Sequence, residues 1–251
     1  MTTNYQKLKT NLEQLKLTNI SENLDRYLEN TSSILETLMV MTTNEIDYQK
    51  QTKIKYLTKR ARFPQPKGLD EFDFSFQPSI DELTFRNLST MNFLETAHNI
   101  CLIGNSGVGK THLAIALGTA ACEQHIQTKF IVFHDLITTL DKAYHKGSLP
   151  LVMKRFINIK LLIIDEIGYV PITETQADWF YQLMSARYET HSTIITTNLP
   201  FSSWGKIFNN EIAAGAIVDR LIHHSKIFKI TGQSYRLKDY HKEKEATTAS
   251  N

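Results

Sequence analysis

Eight consecutive residues, Gly104, Asn105, Ser106, Gly107, Val108, Gly109, Lys110 and Thr111, have the types and spacing that hold a polyphosphate. The glycines let backbone amides curl round the phosphates, Lys110 reaches the terminal ones, and the Thr111 hydroxyl can ligate Mg2+. His112 extends the candidate nucleotide contacts into the segment that follows. A second chemical feature is the apolar run from Leu161 that ends in Asp165 and Glu166. Asp165 suits the Mg2+ shell, commonly through water, and Glu166 is then placed to orient or deprotonate an attacking water. Without a phosphate loop upstream such a run reads as a plain strand end.

Two further residues are candidates. Asn198 follows the run Ser192 to Thr197 and can hydrogen-bond a terminal phosphate or the attacking water, or merely open the Asn-Leu-Pro turn. Arg220, in IVDRLIHH, is either a transition-state arginine supplied to a neighbouring subunit's nucleotide or the surface partner of Asp219 or Glu211. His223 and His224 lack a carboxylate or thiol companion at ligand spacing and are not expected to bind metal.

The elements that must position these groups follow from periodicity. NICLI and HLAIALGTAACEQ flank the phosphate loop as a strand and a helix, so the anion meets a helix N-terminus. KFIVF, a helix from about His134, LLIID, a helix from about Glu174 and STIITTN continue the alternation, which predicts a parallel sheet with helices on both faces. Trp179, Phe180, Tyr181 and Tyr188 are read as mostly core. Before this, residues 1–68 carry apolar positions at helical spacing, Leu8, Leu12, Leu15 and Leu17, then Leu24, Tyr27 and Leu28, then Ile34, Leu35 and Leu38, which predict about three helices in a small all-α domain. Pro64, Pro66 and Gly68 place a boundary there, and the following aromatic and acidic residues have no clear period. The α/β domain that carries the phosphate loop is then expected to span 69–240, and a polar tail, 241–251, is expected to be disordered.

Composition bounds the class. The chain has 251 residues, 41% of them hydrophobic and 22% charged, with a net charge of +2. That is ordinary globular composition and excludes collagen-like or disordered chains. No window approaches the roughly 18 apolar residues of a membrane helix, and the polar start lacks a signal peptide's apolar stretch, so a cytoplasmic protein is expected. Cys101 and Cys122 read as reduced, buried thiols.

The near-neutral total hides basic stretches. Lys50, Lys53, Lys55, Lys59, Arg60, Arg62 and Lys67 occur with no acidic residue between them, and Lys142, His145, Lys146, Lys154 and Arg155 form a second group about Gly147. Either is a solvated face or a surface for nucleic-acid phosphates, bound with little sequence preference.

The runs GNSGVGKTHLAIALG, LLIIDEIGYVP, TTNLPFSSWGKIF, AAGAIVDRLIHHS and ITGQSYRLKD resemble the IstB-like helper ATPases of insertion-sequence transposition, relatives of the DnaC-type helicase loaders. The resemblance covers about residues 70 to 240 and implies an AAA+ P-loop ATPase. It implies ATP on residues 104 to 111, Mg2+ on Thr111 and Asp165, Glu166 as the catalytic carboxylate, Asn198 as first sensor and Arg220 as arginine finger acting in trans. Arg236 matches a second phosphate-sensing arginine. It also implies homo-oligomers with ATP sites at subunit interfaces, duplex DNA and a transposase as partners, and DNA contacts from Lys50, Lys53, Lys59, Arg60, Arg62, Lys142, Lys146, Lys154 and Arg155. A helicase loader would share every nucleotide-site residue; a small-molecule kinase would need an arginine-bearing lid and an acceptor pocket that the sequence does not present.

Overall fold

The computed structural model describes residues 4–29, 34–168 and 170–237; the polar tail 241–251 lies outside them. The chain divides into two compact units, Met1–Tyr56 and Leu57–Asn251.

The first unit contains α1 (Asn4–Gln14), α2 (Thr18–Glu22), α3 (Leu24–Leu28) and most of α4 (Ile34–Ala61). Leu12, Ile20 and Leu24 form its core, with Tyr5, Leu17 and Met41 packed against them. The buried carboxylate of Glu45 accepts from the backbone N–H of Ile20 at 2.9 Å, tying α4 to α2. Four helical segments replace the three expected, and Leu8, Leu15, Leu28 and Leu38 are exposed. Helical periodicity identifies apolar faces, but helices this short cover only part of one another.

The division falls within α4, not at the proline-rich stretch near residue 68. Ala61 is fully buried, and Phe63, Leu69, Phe72 and Phe74 pack onto the second unit's core. The aromatic run that has no secondary-structure period is therefore wall, not linker.

In the second unit α5 (Glu82–Leu88) precedes β1 (Asn99–Gly104), α6 (Lys110–Glu123), β2 (Thr128–Val132), α7 (Phe133–His145) and α8 (Leu149–Ile157). Then come β3 (Leu161–Ile167), α9 (Glu174–Arg187), β4 (Ser192–Thr197), α10 (Gly205–Phe208), α11 (Glu211–His223) and β5 (Ser225–Ile230). The strands form one sheet in the order β2-β3-β4-β1-β5, with every pair parallel. One apolar cluster packs Leu113, Leu117 and Phe85 onto one face, and a second packs Leu136, Phe180, Ile217 and Leu221 onto the other. This is the predicted α/β architecture. Coverage of both faces explains why Leu161 to Ile164 read as a continuous apolar run instead of alternating.

Local signals start the helices. The Thr173 hydroxyl accepts from the Gln176 N–H while the Gln176 side chain accepts from the Thr173 N–H, a capping box that starts α9. Asn210 caps α11 by accepting from the Ala213 N–H at 2.9 Å. At the far end of α9, Arg187 is 1% exposed and donates to the carbonyls of Phe156, Ile157, Ile159 and Ser192 and to the Thr193 hydroxyl. Burial pulls its guanidinium down to about 9, still high enough to stay charged at neutral pH. One side chain thus ties the end of α8, the link to β3, α9 and the start of β4 together.

Cys101 and Cys122 are both buried free thiols, as expected, and burial pushes Cys101 up to about 12. Among the described residues no helix is long and apolar enough to cross a membrane.

Candidate nucleotide site

Strand order decides which side chains meet. β4 lies between β1 and β3, so the strand ending in Thr197 separates the phosphate loop from the acidic pair and presents Asn198 between them. All three carry their functional residues at carboxyl ends, where open parallel sheets bind ligands. A pocket of about 460 Å3 opens there, lined by Ser106 to His112, Glu166, Thr196 to Asn198, Tyr235 and Arg236, with Pro64, Lys67, Phe72, Asp73 and Gln77 on its outer wall.

The phosphate loop has the backbone that its sequence demands. Gly107 and Gly109 adopt φ of 81° and 99°, a region that disfavours residues with a Cβ. Space confirms the choice: a Cβ on Gly107 would lie 2.0 Å from Ser234 Oγ, and one on Gly109 2.5 Å from the Phe72 ring. The segment after β5 closes over the loop, with the Tyr235 N–H donating to the Gly107 carbonyl at 2.9 Å. Lys110 Nζ donates to the carbonyls of Gly104 and Asn105, both at 2.7 Å. Burial lowers its pKa, as does Arg236, against the pull of Asp165 and Glu166. His112 lines the pocket beside Phe72: its Nε2 lies 3.1 Å from the Gly68 carbonyl and its ring meets the Phe72 ring edge-on. Burial lowers its pKa, which favours the neutral ring.

Behind this wall lies Asp165, 3% exposed. Its carboxylate accepts from the Thr111 hydroxyl at 2.9 Å and from the Thr196 hydroxyl. The Thr196 oxygen in turn accepts from the Glu166 backbone N–H at 2.9 Å. Pairing between β3 and β4 is irregular between Ile164 and Ile167, and Glu166 has φ 62°. That irregularity turns Glu166 out into the pocket while Asp165 stays buried. Burial raises the Asp165 pKa, partly offset by the two threonine hydroxyls and by Lys110 and Arg236.

The residues fit a nucleoside triphosphate with Mg2+. The glycines form a cradle that Cβ atoms would obstruct, Thr111 and Asp165 supply hard oxygen ligands, and the buried Asn198 Oδ1 has no protein partner while lining the pocket.

A scan of family models matches residues 10–243 to the IstB-like ATP binding protein. The chain belongs to that family. It is similar to the ATP-binding protein of insertion sequence IS232 from Bacillus thuringiensis subsp. berliner, 45% identical over 244 residues, spanning 96% of this chain and 98% of the relative. The corresponding IS21 protein of Pseudomonas aeruginosa is 39% identical across 92% and 89% of the two chains. Among solved structures the fold resembles the DnaC helicase loader, at 22% identity and TM-score 0.55 over 65% of this chain and 96% of the loader. It also resembles AMPPCP-bound DnaA from Aquifex aeolicus, at 16% identity and TM-score 0.58 over 73% and 56%. The chain is thus an IstB-like protein that shares its fold with these neighbours.

The structure places the remaining sequence candidates. Arg236 lines the pocket, whereas Arg220 does not. The Arg220 guanidinium lies 4.7 Å from the centre of the Tyr181 ring and donates to its own helix at Ala216. It makes no ion pair with Asp219 or Glu211. Tyr181 and Tyr188, expected mostly in the core, are half-buried: Tyr181 packs against the core cluster from α9, and Tyr188 stands just past the end of that helix. The basic residues Lys50 and Lys53 belong to the first unit and Lys59, Arg60 and Arg62 to the second, all exposed. Lys142, Lys146, Lys154 and Arg155 are exposed at or beside the last turns of α7 and α8. The structure adds Lys129 to the basic group: burial and the neighbouring Arg62 and Arg60 drive its ammonium down to about 8.

Sequence reasoning missed Thr196 and Phe72. Thr196 stands two positions before Asn198, on the same face of an alternating strand, and that spacing was the available signal. Phe72 had none, since its contact with Gly109 and His112 depends on the path of an aperiodic segment. The histidine pair also gains a companion, because the fold brings Glu189 to His223 and His224.

Proposed function

We propose that this IstB-like protein hydrolyses ATP with Mg2+, assembles as a homo-oligomer on duplex DNA with ATP sites at subunit interfaces, and assists a transposase in choosing where an insertion sequence lands, within the cytoplasm. The observation that carries the reading is the convergence of Lys110, Asp165, Glu166 and Asn198 about one pocket, in a chain 45% identical to an insertion-sequence ATP-binding protein.

The chain's residues divide the work. The loop amides and Lys110 neutralise phosphate charge, so Lys110 exchanges its two carbonyl partners for phosphate oxygens. Thr111 and Asp165 would hold Mg2+, which supplies charge neutralisation on the leaving phosphates. Glu166, turned into the pocket, orients a water and takes its proton. Asn198 donates its amide N–H to the terminal phosphate or that water. Arg220, half-buried on α11 against the Tyr181 ring, serves the nucleotide of a neighbouring subunit, and Arg236 senses phosphate within its own. Lys50, Lys53, Lys59, Arg60 and Arg62, with Lys142, Lys146, Lys154 and Arg155, make sequence-tolerant phosphate contacts with DNA.

The decisive experiment measures ATP turnover and duplex-DNA binding together. Lys110→Ala is expected to lose nucleotide binding, and Glu166→Gln to bind ATP, stop turning over and stay assembled on DNA. Unchanged hydrolysis by Glu166→Gln refutes the assignment of the base. The likeness to the DnaC fold supports helicase loading as a second reading. Preference for single-stranded DNA and co-purification with a replicative helicase instead of a transposase would select it.

A further inference from the structure

Away from the nucleotide pocket, the opposite edge of the sheet gathers a different set of side chains. α9 ends at Arg187 and α11 at His223, and the turns that follow lead into β4 and β5 at their amino ends. Glu189 lies in the first turn; His223 and His224 span the second. One ligating atom from each of Glu189, His223 and His224 lies within 4.8 Å of the other two. Glu189 Oε1 is 3.1 Å from His224 Nε2, and the two imidazole centres are 4.2 Å apart. The Tyr188 hydroxyl lies 2.6 Å from His223 Nδ1, which fixes that ring and leaves Nε2 for a ligand. Such a partner on the non-ligating nitrogen is the usual support of a metal-bound histidine. The His98 ring, 5.7 Å from that of His224, flanks the group.

We propose that Glu189, His223 and His224 form a binding site for a divalent transition-metal ion of the Zn2+ class. Two imidazoles and one carboxylate are borderline ligands that select Zn2+, Co2+, Ni2+ or Cu2+ over Mg2+ and Ca2+, which prefer all-oxygen sets. Three protein ligands leave a fourth position for water or an incoming side chain. The alternative, a simple ion pair between Glu189 and a protonated His224, accounts for the 3.1 Å contact but gives His223 no part in it. Neighbouring histidines converge here because the helix stops between them: His223 closes α11 and the backbone of His224 has already left the helical conformation. A metal at this point would pin the end of α9 to the end of α11, the helices that bear Tyr181 and Arg220. The site uses no residue of the nucleotide pocket, so it stands or falls independently of ATP hydrolysis.

The test is titration of the full-length, metal-stripped protein with Co2+ and then Zn2+. One equivalent of Co2+ is expected to produce visible d–d absorption of a low-coordinate site, displaced by one equivalent of Zn2+. Zn2+ alone is expected to raise the melting temperature. Glu189→Gln, a near-isosteric change at an exposed position, is expected to weaken Zn2+ binding about 10- to 100-fold while leaving ATP binding unchanged. The double change His223→Ala and His224→Ala should abolish the spectrum. Absence of stoichiometric Co2+ or Zn2+ binding by the unaltered protein, or retention of full affinity in the double variant, overturns the proposal.

Discussion

Thr196 joins Asp165 to the backbone of Glu166 at the end of β3: its hydroxyl donates to the Asp165 carboxylate and its oxygen accepts from the backbone N–H of Glu166. A single side chain therefore contacts both the buried acid and the left-handed backbone of the residue that turns into the pocket.

Thr196→Val keeps the shape and deletes both bonds. Leaving the Glu166 N–H without a partner costs about 1–3 kcal/mol, and loss of such a supporting contact is expected to lower turnover about 10- to 100-fold. Thr196→Ser should restore most of it. Steady-state hydrolysis alongside ATP affinity checks this; a Val variant with normal turnover contradicts the role.

Acidity should weaken Mg2+-dependent nucleotide binding earlier than an ordinary aspartate allows. Asp165 must be ionised to face the ion, and burial raises its pKa, so its charge is lost at a higher pH as the solution is acidified. For folding the sign is opposite. The folded chain holds this proton more tightly than the unfolded one, so the contribution favours the fold at low pH and fades as pH rises through the raised value. Nucleotide titrations with and without Mg2+, from neutral to mildly acidic pH, separate the ion's share. Thr196→Val, by removing a contact that lowers the pKa, should move the midpoint further up.

Arg220 rests on Tyr181 and outside its own pocket. Arg220→Ala is therefore expected to keep ATP binding and lose hydrolysis by about 10³-fold or more. Mixing Arg220→Ala with Glu166→Gln should recover activity at interfaces that pair an intact finger with an intact base. Failure of the mixture, or normal hydrolysis by Arg220→Ala alone, defeats action in trans. The contact with Tyr181 is worth about 0.5–1 kcal/mol, so Tyr181→Leu should change turnover only about two- to fivefold, and Tyr181→Phe less.

Arg187 is the stability prediction. Removing its guanidinium in Arg187→Met strands five buried acceptors, an expected loss of about 3 kcal/mol or more. At roughly 2–4 °C per kcal/mol for a unit of this size, the melting temperature should fall by about 6–12 °C. Arg187→Lys should rescue little, since an ammonium has three donors and no planar fork. A scanning calorimetry shift under 2 °C contradicts the clamp.

Legibility in the sequence followed the range of the interaction. The loop from Gly104 to Thr111 and the pair Asp165–Glu166 could be read because their chemistry depends on neighbours along the chain. Alternating strand and helix patterns gave the parallel sheet for the same reason. Thr196, Phe72 and Glu189 act through partners brought in by strand order, an aperiodic segment and two turns, none of which local spacing records. Tyr181 and the leucines of the first unit show the converse: apolar periodicity marks a face, but what covers that face is decided by how much partner surface exists.

The hydrogen bond from Tyr235 to Gly107 gives synthesis of this protein a direction. The phosphate loop follows β1, yet the neighbouring strand β5 and the segment that closes the loop come only after β2, β3 and β4. A nascent chain halted before β5 has the glycines and the lysine but neither Arg236 nor the backbone that braces them. Truncation before β5 would therefore keep the sequence of the phosphate loop and remove its brace.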